Sequence, residues 1–406
     1  MKPTHTRYWV VVFALALAMI MYIQRVAISQ AAVPISNDLH LNKTQMGAVF
    51  SAFTLAYALL ELPMGLLGDR LGVRRVLTQV VLLWSLFTAL TGAAWNLTSM
   101  LVVRFMFGSG EAGCFPNLTR MLSAWLPTGE RVRAQALMWA FGRWGGALAP
   151  PVAVFAIEMF GWRWGFVALA CLGIVWLAIF FPWFRNDPAE HKSVNAAELA
   201  MLQGGRELVL HDHGVAWYKL LLQKDVALLG LQYFTFSYTW YFYVTWLPTW
   251  LQQARGLSPV TAAGFAMVPL AFGGIGSIVS GFLPLSIPRK LIAIAGFGAT
   301  AVLLFIVPSV SGVIAPMVLM GVASFCSDLT MPISWDTCVK IGKQYTATVA
   351  STMNMLGNFG GFVAPFLAGY ILDRSANNWS IVFYTMAIAA IISTLCWLFL
   401  DPDAQR

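Results

Sequence analysis

The chain has 406 residues, of which 59% are hydrophobic and 10% charged; a soluble domain carries roughly 25% charged residues, so this one cannot coat itself with a water-facing surface. Its formal net charge of +8 is spread over short loops and forms no basic stripe with interleaved aromatics, which argues against a nucleic-acid partner. Most of the surface must meet a lipid bilayer.

A helix needs about 20 apolar residues to cross the hydrocarbon core, where unpaired backbone groups find no partner. Twelve runs meet that length: 8 to 33, 45 to 68, 76 to 95, 99 to 124, 134 to 157, 162 to 184, 225 to 252, 259 to 285, 291 to 310, 313 to 338, 345 to 372 and 379 to 400. The expectation is an all-α membrane protein of twelve transmembrane helices. The first run has no small-residue cleavage site after it, so it is expected to be a retained span and not a removable signal. Residues 185–224 are the one long polar segment and divide the spans six plus six, giving expected units at 1–184 and 225–406. Within it, AAELAMLQGGREL reads as a short amphipathic helix, while His211 and His213 beside Asp212 make no closed metal site. All five cysteines lie in apolar runs without paired spacing, so no metal and no redox motif is expected.

Eighteen of the 25 basic residues fall inside if both termini are cytoplasmic. Lys43, Arg163, Arg255 and Arg374 then lie outside, and Arg25, Arg104 and Arg143 lie within spans. A bias of that size fixes the orientation. The triplets at Asn42, Asn96 and Asn378 match glycosylation sequons in outside loops, a match common by chance; the short tails suggest a bacterial inner-membrane protein. GSGEAG at 108–113 matches a dinucleotide fingerprint, yet no strand precedes it and it sits in an apolar helical run. Its small residues, like Gly142, Gly146 and the GGIGSIVSG run from Gly273, suit close helix packing.

Ionisable groups deep in spans carry the functional reading, because each costs several kcal/mol on insertion scales unless it faces a cavity or a partner. They are Arg25, Glu61, Arg104, Glu111, Arg143, Asp328 and Asp336. The plainer alternative is a set of buried ion pairs that hold the bundle together, an alternative strongest for Glu61 and Asp336 near the cytoplasmic ends. Arg104 and Glu111, seven residues apart, share a helix face about 10 Å apart along the axis and do not pair directly. A guanidinium attracts an anion, and its planar fork fits a carboxylate or phosphate at two points; Arg25 is the first choice. Glu111 is free to gain and lose a proton.

Several stretches carry a resemblance. Gly65-Leu-Leu-Gly-Asp69-Arg70-Leu-Gly72-Val-Arg74-Arg75 resembles the signature loop of the major facilitator superfamily; the matching loop after span eight, ending in Arg289-Lys290, lacks the acidic residue. Span four (Arg104 to Asn117), span seven (Tyr241 to Trp250), Tyr22-Ile-Gln-Arg25 and Asn354-Met-Leu-Gly-Asn358 look like the anion:cation symporter family over essentially the whole chain. The resemblance implies the major facilitator fold, two six-helix bundles with a site between them, and alternating access. It also implies proton-coupled import of a small organic anion such as a sugar acid, with no enzymatic step, no cofactor beyond the coupling proton, and a monomer. Tyr57, Asn354 and Asn358 match substrate-contacting positions, joined as candidates by Tyr22, Arg25, Arg104 and Arg143. Arg143 stands where galactonate-type symporters have glutamine, which points to a more negatively charged substrate. Glu111 matches a coupling glutamate whose usual aspartate partner is here Gln24, leaving Glu61 or Asp328 as substitutes. Asp69, Arg70, Arg74 and Arg75, with Arg131 or Arg133, would form the cytoplasmic gate. Sodium-coupled or exchange transport of an organic anion or phosphate, and a non-transporting nutrient sensor, are the alternatives.

Overall fold

The computed structural model describes residues 2–203, 223–283, 287–342 and 346–400; the side chains of 62, 65–70, 128, 132 and 346–348 lie outside the description. His211, Asp212 and His213, and the side chains of Asp69 and Arg70, are therefore outside the described residues. Every predicted span is helical. In order they are Thr6–Gln30, Lys43–Leu71, Val73–Thr91, Leu97–Glu111 with Cys114–Trp125, the two parts of Thr128–Trp183, Lys224–Thr245 with Leu247–Gln253, Pro259–Phe282, Arg289–Ile306, Ile314–Asp328 with Met331–Gly342, Thr346–Arg374 and Trp379–Phe399. Among the described residues, eight helical stretches are long and apolar enough to qualify as spans by length and composition alone, one of them covering spans five and six together. Spans five and six run together with only Gly161 between them, at φ 72° and ψ 163°, a conformation a glycine reaches without strain.

Side-chain placement follows the lipid solvent. Leu82, Leu86, Phe155, Ile179, Val302 and Phe305 are exposed, as a bilayer-facing surface requires, while several polar side chains turn inward. Gln24, Thr88 and Thr91 are buried: Gln24 Nε2 donates to Leu169 O at 2.7 Å, and the Thr88 hydroxyl donates to Gln24 Oε1 at 3.3 Å.

Contacts divide the chain into two compact units, Met1–Arg25 with Leu59–Leu210, and Val26–Ala58 with His211–Arg406. The division differs from the expected halves in one stretch, Val26–Ala58, whose outer end packs on the later spans. Asp373, at the end of span eleven, accepts from the backbone N–H groups of Lys43 and Thr44 at 3.2 and 2.7 Å and from the Thr44 hydroxyl at 2.5 Å. It thereby satisfies the open start of span two, whose first N–H groups have no partner in their own helix. One turn on, Gly47 lies against the Pro365 carbonyl, so close that a Cβ would collide with it. Ser51 then donates to Phe362 O at 2.6 Å, and Thr54 to Gly361 O at 3.2 Å.

In the first unit, the loop between spans two and three gains a physical reason for its glycine. Gly72 has φ 80°, and a Cβ there would lie 2.8 Å from the Asn186 amide. Asn186 in turn accepts from Arg74 N at 2.9 Å. The Arg74 guanidinium donates to Phe181 O at 3.0 and 2.6 Å and lies 4.4 Å from the centre of the Phe181 ring, closing the C-terminal end of span six. Arg75 and Arg133 are exposed, and Arg131 donates from Nε to Leu126 O at 2.9 Å.

The predicted loop helix is present as Ala196–Gln203, and it is more than a solvated surface helix. Glu198 is fully buried and serves the start of span one: it accepts from the Thr4 hydroxyl at 2.6 Å, from Thr6 N at 3.3 Å and from Arg7 N and NH1, each at 3.2 Å. Arg7 also holds Glu130, at the start of span five, at 3.0 Å. Burial alone would raise the pKa of Glu198, but the bonds from Thr4, Arg7 and Thr6 outweigh it and hold the carboxyl below its ordinary range. A group lowered in the folded state contributes stability above the ordinary carboxylate range and loses it as pH falls through the lowered value. Glu198→Gln is expected to melt at a lower temperature than the parent protein at neutral pH, with the gap closing in acid; a constant gap across pH would contradict this assignment.

Candidate functional site

The first unit brings together four of the residues singled out in the sequence. Glu111 is the last residue of Leu97–Glu111 and is completely buried. Arg25, on span one, donates from Nε to Glu111 Oε1 at 2.7 Å, and its NH2 reaches the same oxygen. The Arg25 guanidinium also lies 4.8 Å from the centre of the Tyr22 ring, one turn earlier on the same helix. Tyr22 meets Phe115 edge to face at 6.2 Å, and Phe115 stacks on Trp139 at 4.3 Å. An aromatic wall thus stands beside the ion pair.

The expected spacing of Arg104 from Glu111 holds, since both lie on one uninterrupted helix. Arg104 is buried, lies 4.4 Å from the Phe107 ring centre, and interacts electrostatically with both Glu111 and Arg25. The direct partner of Glu111 is Arg25 from another span, and so the expected anion-binding arginine and the expected proton carrier form a single unit. One carboxylate oxygen holds Arg25; the other, Oε2, is buried without a hydrogen bond among the described residues.

Glycines set this geometry. A Cβ on Gly142 would lie 3.0 Å from the Tyr22 ring, one on Gly146 would lie 3.5 Å from it, and one on Gly145 would collide with the Met19 carbonyl oxygen at 2.6 Å. Span five therefore presses on span one at the level of Tyr22, as the four-residue glycine spacing predicts. Arg143 follows Gly142 directly and is half-buried. On the other side, a Cβ on Gly110 of span four would lie 3.0 Å from Trp84 N on span three, so the bare glycine allows the two spans to approach closely.

The remaining candidates are placed elsewhere. Glu61 is half-buried in the first unit. Asp336 is exposed and forms an i,i+4 pair with Lys340 at 3.4 Å, which removes it from the deep residues. Tyr57, Asn354, Asn358 and Asp328 belong to the second unit. Tyr57 is buried with its ring 5.9 Å from Phe53. Asn354 and Asn358 are half-buried one turn apart on span eleven. Gln24, beside Arg25, is spent on span six through Leu169 and is a structural residue. A cavity of about 340 Å³ between spans nine and twelve, lined by Ala301, Phe305, Ile391 and Leu395, carries no charged group and belongs to the lipid-facing surface.

Two features of the site were not anticipated. Span four breaks at Ala112–Gly113, immediately after Glu111, and span ten breaks at Leu329–Thr330, immediately after Asp328. The prolines that follow, Pro116 and Pro332, are the sequence signal that marks both breaks, because a proline cannot supply the helical N–H.

A buried arginine–carboxylate pair held among long apolar helices is the kind of site a membrane transporter needs, since an ionisable group at that depth must face a cavity or a partner. The family model described as Major Facilitator Superfamily matches residues 13–365, and the chain belongs to that superfamily. A probable sulfoacetate transporter of Cupriavidus necator is 30% identical, covering 98% of this chain and 94% of the relative. A probable galactarate/D-glucarate transporter of Escherichia coli K12 is 30% identical over 100% of this chain and 97% of the relative, and the hexuronate transporter of Bacillus subtilis is 27% identical over 91% and 88%. Among solved structures, a bacterial homologue of the human lysosomal transporter Spinster shares the fold with a TM-score of 0.76 at 16% identity, covering 98% of this chain and 97% of that one.

Replacing Gln24 by leucine removes the side-chain bond to the Leu169 carbonyl, at a cost of about 0.5 to 1.5 kcal/mol. The variant is expected to melt earlier while retaining ligand binding; loss of binding with unchanged stability would show that Gln24 acts in the site itself.

Proposed function

We propose that this chain imports a small organic anion together with protons across the bacterial inner membrane, as a monomer with both termini in the cytoplasm. The observation that carries the reading is the Arg25–Glu111 pair. While Glu111 is ionised, it occupies the Arg25 fork that a substrate carboxylate would need. Removing one member of a buried pair costs roughly 3 to 5 kcal/mol, and a tenfold change in binding is about 1.4 kcal/mol. An anion that must displace an ionised Glu111 therefore loses roughly two to three decades of affinity.

A proton on Glu111 removes that competition. The neutral acid no longer holds Arg25, the guanidinium turns to the incoming carboxylate, and proton and anion travel together. On the inner side, departure of the anion lets Arg25 attract Glu111 again, which drives the proton off. Neither the proton nor the anion is favoured without the other, and that mutual dependence is what symport requires. Tyr22 gives Arg25 an aromatic neighbour in both states, and Arg104, two turns from Glu111 on the same helix, adds positive potential. The basic excess in the cytoplasmic loops supports the orientation.

The substrates for which the relatives are named support an organic acid, and sulfoacetate, galactarate and D-glucarate each carry two acidic groups. Arg143, one residue from the glycine that faces Tyr22, supplies a further cation for a second acidic group. The preferred substrate class is accordingly a small dianion.

In proteoliposomes, Glu111→Gln is expected to retain counterflow of galactarate and to lose accumulation driven by a pH gradient, whereas Arg25→Ala loses both. PH-driven accumulation that survives Glu111→Gln would refute the assignment, and accumulation that follows a sodium gradient in the presence of a protonophore would replace the proton with sodium. Arg143→Gln is expected to reduce galactarate uptake by about tenfold relative to galactonate, the equivalent of about 1.4 kcal/mol; an unchanged ratio would remove the dianion preference.

A further inference from the structure

Spans four and ten are built to one plan. Span four is a helix of 15 residues ending at Glu111, a two-residue break, then a helix of 12 residues with Pro116 in its first turn. Span ten is a helix of 15 residues ending at Asp328, a two-residue break, then a helix of 12 residues with Pro332 in its first turn. The two spans lie six apart in the series, as parallel repeats of a six-helix unit require. In both, the residue at the break is a buried acid, with Glu111 0% and Asp328 1% exposed.

Sequence identity does not explain the match. SGEAGCFPN and CSDLTMPIS share little beyond the acid and the later proline. What recurs is a carboxyl at the point where the helix loses its regular bonding. Pro332 has no N–H to offer the Asp328 carbonyl one turn before it, and Ser277 on span eight donates there instead, at 3.3 Å.

The Asp328 side chain sits in a fitted polar recess. Ser324 Oγ donates to Oδ2 at 3.4 Å. Gly273, on span eight, makes room for the carboxyl: a Cβ there would collide with Oδ2 and lie 2.7 Å from Ser324 Oγ. The Tyr243 hydroxyl on span seven is fully buried, finds no hydrogen-bond partner among the described residues, and feels the charge of Asp328. We propose that Asp328 is a second proton-carrying carboxyl, the C-terminal counterpart of Glu111, with Ser324 and Tyr243 as its hydroxyl partners. The proposal rests on the reading of Glu111 as the coupling acid and extends proton handling to both halves of the molecule.

The surroundings suit a group that changes charge. Span eight, Pro259–Phe282, contains no ionisable residue at all. On span nine the charged residues are Arg289 and Lys290, at its first turn. In the second part of span ten, Asp336 and Lys340 are engaged with each other. Tyr243 is the ionisable neighbour from span seven, and Cys326 lies two residues away on the same helix. Ser324 and Tyr243 hydroxyls can each donate to a carboxylate or accept from a carboxylic acid, so they serve either state of Asp328.

Infrared difference spectra of the full-length protein in lipid, taken between acid and alkaline buffer, read protonated carboxyl groups without any substrate. The expected spectrum holds two buried carboxyl bands, one removed by Glu111→Gln and the other by Asp328→Asn. Ser324→Ala is expected to shift the second band and leave the first in place, and Asp328→Glu to retain a titrating band at a new position, which guards against a misfolded asparagine variant. An Asp328→Asn spectrum identical to that of the parent, or an Asp328→Glu variant with no titrating band, would overturn the proposal. Loss of the first band alone from this pattern would instead count against Glu111 and leave Asp328 standing.

Discussion

One guanidinium held by one carboxylate, both removed from water, is the constraint on which the rest of the molecule depends. Neither Arg25 nor Glu111 could be placed alone inside an apolar bundle at tolerable cost, and the two come from helices far apart in sequence. Around them the chain is arranged to hold this contact and to keep other polar groups from it. Gln24, the nearest neighbour of Arg25, is tied back to span six. Glycines on spans five and four let their neighbours approach until an aromatic wall of Tyr22, Phe115 and Trp139 stands beside the pair.

The periphery shows a related economy, in which charged groups secure helix ends. Asp373 meets the start of span two, Glu198 meets the start of span one, and Arg74 meets the end of span six. Each of these is a helix terminus with unsatisfied backbone groups, and each partner carries the sign that the helix dipole favours. Arg74 stands in the loop whose sequence resembles the superfamily signature, and in this structure its guanidinium serves the end of span six. Helix ends fixed in this way let each group of spans hold its shape.

Much of the fold was legible in the sequence because lipid imposes a length and a polarity on every span, and both can be read from one residue to the next. The positions of Arg104 and Glu111 on one face followed from helical geometry alone. The partner of Glu111 did not, since periodicity relates residues within a helix and says nothing about which residue of another helix will face them. Glu198 looked like an ordinary polar residue of an amphipathic loop helix; only the return of Thr4, Thr6 and Arg7 to the same place reveals it as buried. Asp336 erred in the opposite direction, inside an apolar run yet exposed beside Lys340. The breaks after Glu111 and Asp328 were signalled by Pro116 and Pro332, but a proline in a membrane helix is compatible with a continuous span, and so the signal gains its meaning only when both spans are laid side by side.

The proposed exchange of the Arg25 fork between an internal carboxylate and an external one would have a direct signature in solution. When the detergent-solubilised protein, in weakly buffered medium with a pH indicator, is mixed with the dicarboxylate that most raises its melting temperature, binding should draw protons from the medium. That uptake should fall in Glu111→Gln while binding persists. Binding by the parent protein with no change in proton content would contradict the account, because the anion would then occupy its site without displacing an ionised Glu111.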